Sequence, residues 1–159
     1  MILTEIQTFL WGLPLFTALH VVEEFAYPGG FVKWMAVHNS TRLKQTWYYV
    51  AINAFAILGG ACIALIANGV VGYCVFIWFV TFMAANGLSH IIASVQAGKY
   101  CPGSVTGILL FLPLFAASSW KFLAEGLINW QSWLLNAFSA IVVGYFFITV
   151  HSRRKVHNK

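Results

Sequence analysis

Long apolar segments dominate this chain and limit what it can fold into. Hydrophobic residues make up 60% of its 159 residues and charged residues only 8%, whereas a soluble domain carries about 25% charged residues. A helix needs about 20 predominantly apolar residues to cross a bilayer. Five such segments fit, at approximately residues 6–26, 47–67, 71–95, 104–123 and 130–150. We therefore predict an all-α protein, a polytopic membrane helix bundle with about five transmembrane helices.

The connections between these segments are short, so residues 1–159 are predicted to form a single integral membrane domain. Residues 31–45 mix aromatic and basic side chains, which is typical of a short helix lying in the membrane interface after the first span. Residues 151–159 form a basic, polar tail. The net charge of +5 is spread over loops and tail without a basic patch between exposed aromatics, so we expect no nucleic-acid partner.

The basic residues predict the orientation of the chain. With five spans, eight of the nine Lys and Arg residues fall on the side that holds the C-terminus, and only Lys121 falls on the other. Cytoplasmic loops of membrane proteins carry the excess of positive charge. We therefore expect an integral protein of a bacterial cell membrane with its N-terminus outside and its C-terminus in the cytoplasm.

The few acidic residues are concentrated near the end of the first span. The chain has no Asp and four Glu, and two of these, Glu23 and Glu24, follow His20. Residues three and four positions apart lie on one face of a helix. Ionisable groups inside a membrane cost about 2.5–3.5 kcal/mol each on insertion scales and mark functional sites. This stretch therefore predicts a site.

A second polar group is predicted at the same depth. His20 precedes the helix-ending Pro28 by eight residues, and His90 precedes the helix-breaking Gly98 by eight. Each histidine then lies about 12 Å from the cytoplasmic end of its helix. Asn86 lies one turn deeper than His90 on the same face. We therefore expect one site, formed by two spans and open to the cytoplasmic leaflet.

Three motifs occur in order along the chain, within a resemblance to a known family that covers about residues 13–146. They are His20-Val-Val-Glu23-Glu24, Asn86-Gly-Leu-Ser-His90 and Tyr100-Cys-Pro102-Gly103. Together they resemble the HXXEE domain family of small multi-pass membrane proteins, which has a further histidine and a Y-x-P-G element. The resemblance implies an enzymatic role for the polar motifs but no particular reaction.

The residue types favour a metal-dependent hydrolase. Two imidazoles and one carboxylate are a common ligand set for catalytic zinc and leave one position for water, so His20, Glu24 and His90 are the predicted metal ligands. Zinc is favoured, although the same set suits Fe(II) or Mn. Glu23 is the predicted base that takes a proton from water, and the roles of the two glutamates can be exchanged because both are in reach.

Further residues complete the predicted site. Asn86 is expected to orient a ligand or bind an oxyanion. Tyr100 is a candidate proton donor, and Pro102 and Gly103 are expected to form a lid. His38 is an additional candidate ligand. The expected substrate is a membrane lipid or a small apolar molecule.

Three other functions are compatible with the sequence. A metal-free enzyme of the isomerase or cyclase type could use the same residues for acid–base catalysis. A transporter coupled to protons or cations is a second alternative, which the lack of an evident inverted repeat disfavours. A scaffold is the third, in which the polar residues join helices and Glu24 pairs with Lys33 or Arg42.

Overall fold

The structure, a computed structural model, describes residues 2–26, 30–38 and 46–151, and no strand occurs among them. Its helices are α1 (Ile2–Ala26), α2 (Gly30–His38), α3 (Thr46–Ile66), α4 (Gly69–Ala97), α5 (Ser104–Thr106), a π-helical segment (Gly107–Phe111), α6 (Leu112–Ala124) and α7 (Trp130–His151). The predicted all-α helix bundle is confirmed. Part of the predicted interfacial stretch, residues 39–45, and residues 152–159 of the predicted tail lie outside the described residues.

Among the residues that the structure describes, four stretches are long and apolar enough to cross a membrane. They are Glu5–Ala26, Trp47–Ile66, Gly69–Ala97 and Ser104–Ala124, and they correspond to the first four predicted spans. The fifth predicted span coincides with α7, a helix of 22 residues. The 29 residues of α4 extend for about 43 Å at 1.5 Å per residue, which exceeds the hydrocarbon core of about 30 Å.

The helices pack in pairs around the segment that starts at Ser104. α1 packs along α3 and α4 packs along α7, while α5, the π-helical segment and α6 fill the space between α1 and α4. The core between them is apolar and includes Leu13, Phe76, Phe111 and Phe122, all without exposed surface.

The helix after Ser104 is not uniform. Its π-helical segment precedes Pro113, the second residue of α6. In a regular α-helix the ring of Pro113 would clash with the carbonyl of Leu109, and its nitrogen could donate no hydrogen bond. A π-helical turn shifts the hydrogen bonds to i→i+5 and thereby accommodates the proline. The stretch Ser104–Ala124 thus carries its distortion one turn before Pro113.

Glycine residues allow the helix backbones to approach closely at two places. A Cβ atom on Gly60 of α3 would lie 3.3 Å from the Cα atom of Pro14 in α1. A Cβ atom on Gly87 of α4 would lie only 2.6 Å from the Cα atom of Gly107. The second contact places the residues next to it, Asn86 and Thr106, close to one another at the site described below.

Candidate functional site

The structure brings three predicted ligands into one buried cluster. The Oε1 atom of Glu24 lies 3.4 Å from His20 Nε2 and 3.1 Å from His90 Nε2. One ligand atom from each residue lies within 4.8 Å of the others. The exposed fractions are 0% for His20, 6% for Glu24 and 2% for His90. We call these three residues the His20/Glu24/His90 cluster.

Helix geometry accounts for the convergence. His20 and Glu24 are one turn apart on α1, and His90 approaches from α4 with its ring centroid 5.2 Å from that of His20 and its plane at 78° to it. α4 is capped at its C-terminus by Gly98, which adopts a left-handed conformation with φ 61°. The helix thus ends about two turns beyond His90, at the residue that the sequence predicted to break it.

The outer oxygen of Glu24 has a partner that is absent from the predicted set. Asn53 of α3 donates a hydrogen bond from Nδ2 to Glu24 Oε2 at 3.1 Å. Its amide stands within an apolar span, and such an isolated polar side chain is a signal for a buried polar contact. Asn53 therefore orients the carboxylate so that Oε1 faces both imidazoles.

Glu23 binds the loop after α4 and not the imidazoles. Its Oε1 atom accepts hydrogen bonds from the backbone N–H groups of Gly103 at 2.9 Å and Val105 at 3.0 Å, and from the hydroxyl of Tyr100. Its Oε2 atom accepts from the backbone N–H of Thr106 at 2.7 Å and from the Thr106 hydroxyl at 2.5 Å. Five donors occupy this carboxylate, which leaves it poorly suited to the predicted role of base.

The predicted lid residues lie against the cluster. Gly103 has φ 99°, and a Cβ atom there would lie 2.8 Å from His20 Cε1 and 2.9 Å from His90 Nδ1. Only glycine fits this conformation and this gap between two rings. Pro102 is fully buried beside it. The hydroxyl of Tyr100 donates a hydrogen bond to Glu23, and the Tyr100 side chain is exposed.

The loop is also fixed to α4. Ser94 Oγ accepts a hydrogen bond from the backbone N–H of Cys101 at 2.7 Å and lies 2.9 Å from Ser104 Oγ. The Ser104 hydroxyl in turn donates a hydrogen bond to the carbonyl oxygen of Cys101 at 2.7 Å. With Glu23 on one side and Ser94 on the other, the loop is anchored to both helices that carry the cluster.

Cys101 faces His90 from this loop. Its Sγ atom lies 3.6 Å from His90 Nδ1, and the residue has no exposed surface. Burial, and after it the negative charges of Glu24 and Glu23, raise the pKa of the Cys101 thiol to about 12. The group is therefore a neutral thiol at physiological pH, unsuited to act as a thiolate nucleophile.

Asn86 reaches the cluster as predicted, because its Nδ2 atom lies 3.2 Å from His20 Nε2. Two aromatic rings border the imidazoles. Phe31 of α2 lies 4.6 Å from His90 and Phe111 lies 5.2 Å from His20, between ring centroids. Each imidazole of the cluster is thus in contact with an aromatic ring.

His38 lies outside the cluster. It is exposed at the end of α2, its ring stacks on Trp34 with centroids 4.7 Å apart, and its Nδ1 atom lies 3.0 Å from the Trp34 carbonyl oxygen. Lys33, proposed above as a partner of Glu24 in a scaffold, is exposed. Among the described residues Glu24 contacts His20, His90 and Asn53 instead. Arg42 lies outside the described residues.

A family model described as "Protein of unknown function with HXXEE motif" matches residues 11–118. The chain belongs to the HXXEE family. The matched range contains all the residues of the cluster, the loop and Asn53. The uncharacterized protein YrkK of Bacillus subtilis (strain 168) is 32% identical over 77 residues, which is 48% of this chain and 47% of that protein. The chain thus spans about half the length of the curated relative it matches. No solved structure matches the chain.

In this HXXEE protein the residues of the name-giving motif divide between two tasks. His20 and Glu24 belong to the buried cluster, whereas Glu23 binds the loop that carries Tyr100 and Gly103. The two adjacent glutamates are therefore not equivalent in their contacts.

Proposed function

We propose that this HXXEE protein is an intramembrane enzyme in which His20, Glu24 and His90 hold a divalent metal ion. The supporting observation is that two Nε2 atoms converge on one carboxylate oxygen, at 3.4 Å and 3.1 Å. In a tetrahedral zinc site with bonds of about 2.0–2.1 Å, ligand atoms lie about 3.3 Å apart. The separations suit zinc first, and Fe(II) or Mn as alternatives.

The partners of the other ring nitrogens suit the same role. His20 Nδ1 lies 2.7 Å from the hydroxyl of Thr106, and His90 Nδ1 lies 3.6 Å from the sulfur of Cys101. A metal-binding histidine uses one nitrogen for the ion and donates the N–H of the other to a nearby acceptor. Both rings can therefore present an Nε2 lone pair to the ion.

The reaction that we propose is hydrolysis. A metal ion held by three protein ligands supplies Lewis acidity and an open coordination position. Hydrolysis consumes one water, whose oxygen bonds to the electrophilic atom of the substrate while the bond to the leaving group breaks and the leaving group takes a proton. Glu24 Oε2, which accepts one described hydrogen bond from Asn53, replaces Glu23 as the proposed proton acceptor. Asn86 is the proposed donor to the developing oxyanion.

The surroundings favour a lipid or small apolar substrate. The cluster lies within helices of membrane-spanning length and borders the aromatic rings of Phe31 and Phe111. With the orientation expected from the basic loops, it faces the cytoplasmic leaflet. We expect the substrate to approach past α2, because Phe31 of that helix covers His90.

Metal-free acid–base catalysis is a second candidate, and the contact between Asn86 Nδ2 and His20 Nε2 at 3.2 Å favours it. An amide N–H that donates to Nε2 occupies the lone pair that a metal would need. In this alternative a proton shared between Glu24 and His90 is transferred to or from a double bond of the substrate.

Metal content tests the first proposal against the second. The protein is purified without chelator through a tag that contains no histidine, and its metal is measured by mass spectrometry. We expect stoichiometric metal in wild type and its loss in His20→Ala, Glu24→Ala and His90→Ala. His38→Ala is the matched control and should retain metal. A folded wild-type protein without metal would contradict the metal site and leave the acid–base candidate.

A lipid assay tests the reaction. The metal-loaded protein is reconstituted in vesicles of mixed phospholipids and neutral lipids, and the lipids are analysed by mass spectrometry. We expect hydrolysed lipid with wild type and none above background with Glu24→Gln. Metal-loaded protein that leaves every lipid class and added apolar ester intact would contradict hydrolysis.

A further inference from the structure

We propose that Thr106 is a positioning residue that fixes the proton of His20 on Nδ1 and so keeps the Nε2 lone pair directed into the cluster. Its consequence for metal binding rests on the proposed function, whereas the position of the proton does not. Thr106 belongs to none of the three sequence motifs. It contacts two residues of the first motif, His20 and Glu23.

The hydroxyl of Thr106 lies between a carboxylate and an imidazole. Its Oγ1 atom is 2.5 Å from Glu23 Oε2 and 2.7 Å from His20 Nδ1. The backbone N–H of Thr106 also donates to Glu23 Oε2, at 2.7 Å. Two bonds to the same oxygen hold the threonine in place relative to the carboxylate.

A count of protons assigns the direction of these bonds. A hydroxyl has one proton to donate, and an ionised carboxylate can only accept. The Thr106 proton therefore belongs to the short bond with Glu23. The carbonyl oxygen of Gly103, a second acceptor within reach of Oγ1, is 3.4 Å away and competes poorly. With its own proton engaged, Thr106 can only accept from His20, so Nδ1 of the imidazole must carry a hydrogen.

Glu23 is ionised in this arrangement for a geometric reason. Backbone N–H groups donate to both of its oxygens, those of Gly103 and Val105 to Oε1 and that of Thr106 to Oε2. A proton on either oxygen would face at least one of these N–H donors. The carboxylate form is therefore the one that the loop binds.

The consequence for His20 is a fixed tautomer. A neutral imidazole with a hydrogen on Nδ1 has a lone pair on Nε2, the atom that lies 3.2 Å from the amide nitrogen of Asn86, a donor, and 3.4 Å from Glu24 Oε1. Glu23 thus acts on one side of the ring through Thr106, and Glu24 acts on the other side directly. Outer partners of this kind fix ring orientation and contribute about 10–100-fold to metal affinity.

Nitrogen NMR of the full-length protein with ¹⁵N-labelled histidine tests the tautomer directly. Spectra are recorded at mildly alkaline pH, and the His20 signals are identified by their loss in His20→Gln. We expect hydrogen on Nδ1 in wild type and in Thr106→Ser, which keeps the hydroxyl. In Thr106→Val, which is nearly the same shape without the hydroxyl, we expect hydrogen on Nε2 or a mixture. Hydrogen on Nε2 in wild type, or an unchanged tautomer in Thr106→Val, would overturn the proposal.

Zinc affinity of the same variants, measured by competition with a chelator, separates the two proposals. We expect Thr106→Val to lower the affinity about 10–100-fold and Thr106→Ser to restore it to near the wild-type value. Thr81→Val is the matched control, because its buried hydroxyl bonds to the Ile77 carbonyl of its own helix and should not affect zinc.

Each combination of results has one meaning. Wild-type protein that binds no zinc but shows the hydroxyl-dependent tautomer contradicts the metal site and supports the role of Thr106. Normal zinc binding with no effect of Thr106→Val on affinity or tautomer supports the metal site and contradicts the role of Thr106. If Thr106→Val does not fold, the wild-type spectrum decides, because hydrogen on Nε2 of His20 contradicts the inference.

Discussion

Asn53 and Glu24 are joined across α1 and α3 by a hydrogen bond from Nδ2 to Oε2 of 3.1 Å. This bond occupies the outer oxygen of the carboxylate, while the inner oxygen faces the two imidazoles. The position of the carboxylate in the cluster thus depends on a residue of a third helix, α3.

Replacing Asn53 should weaken the cluster without removing any of its three members. We expect Asn53→Leu to lower zinc affinity about 10–100-fold, because it removes the outer partner of a ligand. It should also lower the free energy of unfolding by about 1–3 kcal/mol, since one buried oxygen of Glu24 loses its donor. Chelator competition and thermal unfolding in detergent measure both effects.

Asn136→Leu is the control for this substitution. Asn136 lies on α7, and its Nδ2 atom donates to the carbonyl oxygen of Ser132 in the same helix. We expect no change in zinc affinity for this variant. Equal effects of the two substitutions would show that Asn53 has no specific role at Glu24.

Glu23→Gln should destabilise the loop although the shape of the side chain hardly changes. Both oxygens of Glu23 receive a backbone N–H, so the amide group of Gln must face either Thr106 or the pair Gly103 and Val105. Donor then meets donor, and we expect a loss of about 1–3 kcal/mol in the free energy of unfolding.

Thermal unfolding and limited proteolysis of the loop measure this loss. Glu125→Gln serves as the control, because Glu125 forms an ion pair with Lys121 at the other end of the bundle and should matter little. A Glu23→Gln variant as stable as wild type would show that the five hydrogen bonds do not hold the loop.

Gly103→Ala should disrupt the cluster more than a substitution at another left-handed glycine does. Its new Cβ atom would lie under 3.0 Å from both imidazoles, whereas a Cβ atom on Gly98 would meet nothing within 4 Å. Both glycines have positive φ, so Gly98→Ala carries the backbone strain of about 1–2 kcal/mol without the clash.

Metal content and melting temperature of the two variants separate clash from strain. We expect Gly98→Ala to keep its metal and to melt slightly earlier, and Gly103→Ala to lose metal and melt much earlier. Similar behaviour of both variants would contradict the close contact between the loop and the histidines.

Cys101 should make the fold less stable at alkaline pH. Burial raises the pKa of its thiol to about 12, while the thiol of the unfolded chain ionises in its usual range. Between these two values the unfolded state releases a proton that the folded state keeps, so the free energy of unfolding falls as pH rises, by up to about 1.4 kcal/mol per pH unit. Below the usual range both states are protonated and the contribution vanishes.

Unfolding at neutral and alkaline pH in wild type and Cys101→Ala tests this dependence. The decline with pH should be smaller in Cys101→Ala than in wild type and unchanged in Cys62→Ala. Native Cys101 should also resist alkylation until the protein is unfolded. Parallel declines in wild type and Cys101→Ala would contradict the assignment.

The sequence predicted the meeting of His20 and His90 because it depends on local rules. Helix period and helix-ending residues determine how deep a side chain lies in its own span, and Gly98 does end α4 where expected. The choice between Glu23 and Glu24 could not be made in this way. Glu23 and Glu24 are adjacent on one helix and differ in their angle around the helix axis. Which of them contacts the histidines is decided by the path of the neighbouring loop.

The contacts of Asn53 and Thr106 could not be predicted from one span, because they depend on how separate helices pack. The contact of Asn53 with Glu24 requires the rotation of α3 about its axis, which packing against α1 determines. Thr106 reaches His20 because the chain turns back at Gly103 and then enters a π-helical turn, both of which are results of tertiary structure. His38 was a candidate metal ligand because of its residue type alone. In the structure its ring stacks on Trp34 at the end of α2, outside the cluster.

The contact between Gly87 and Gly107 limits how far α4 can move relative to the segment that follows Thr106. Two backbones that touch without side chains between them have no rotamers through which their spacing could change, so the distance between α4 and the π-helical segment is set by the main chain. α4 carries His90, and Thr106 immediately before Gly107 contacts Nδ1 of His20. The spacing between these two neighbours of His20 thus depends on two residues that have no side chain at all.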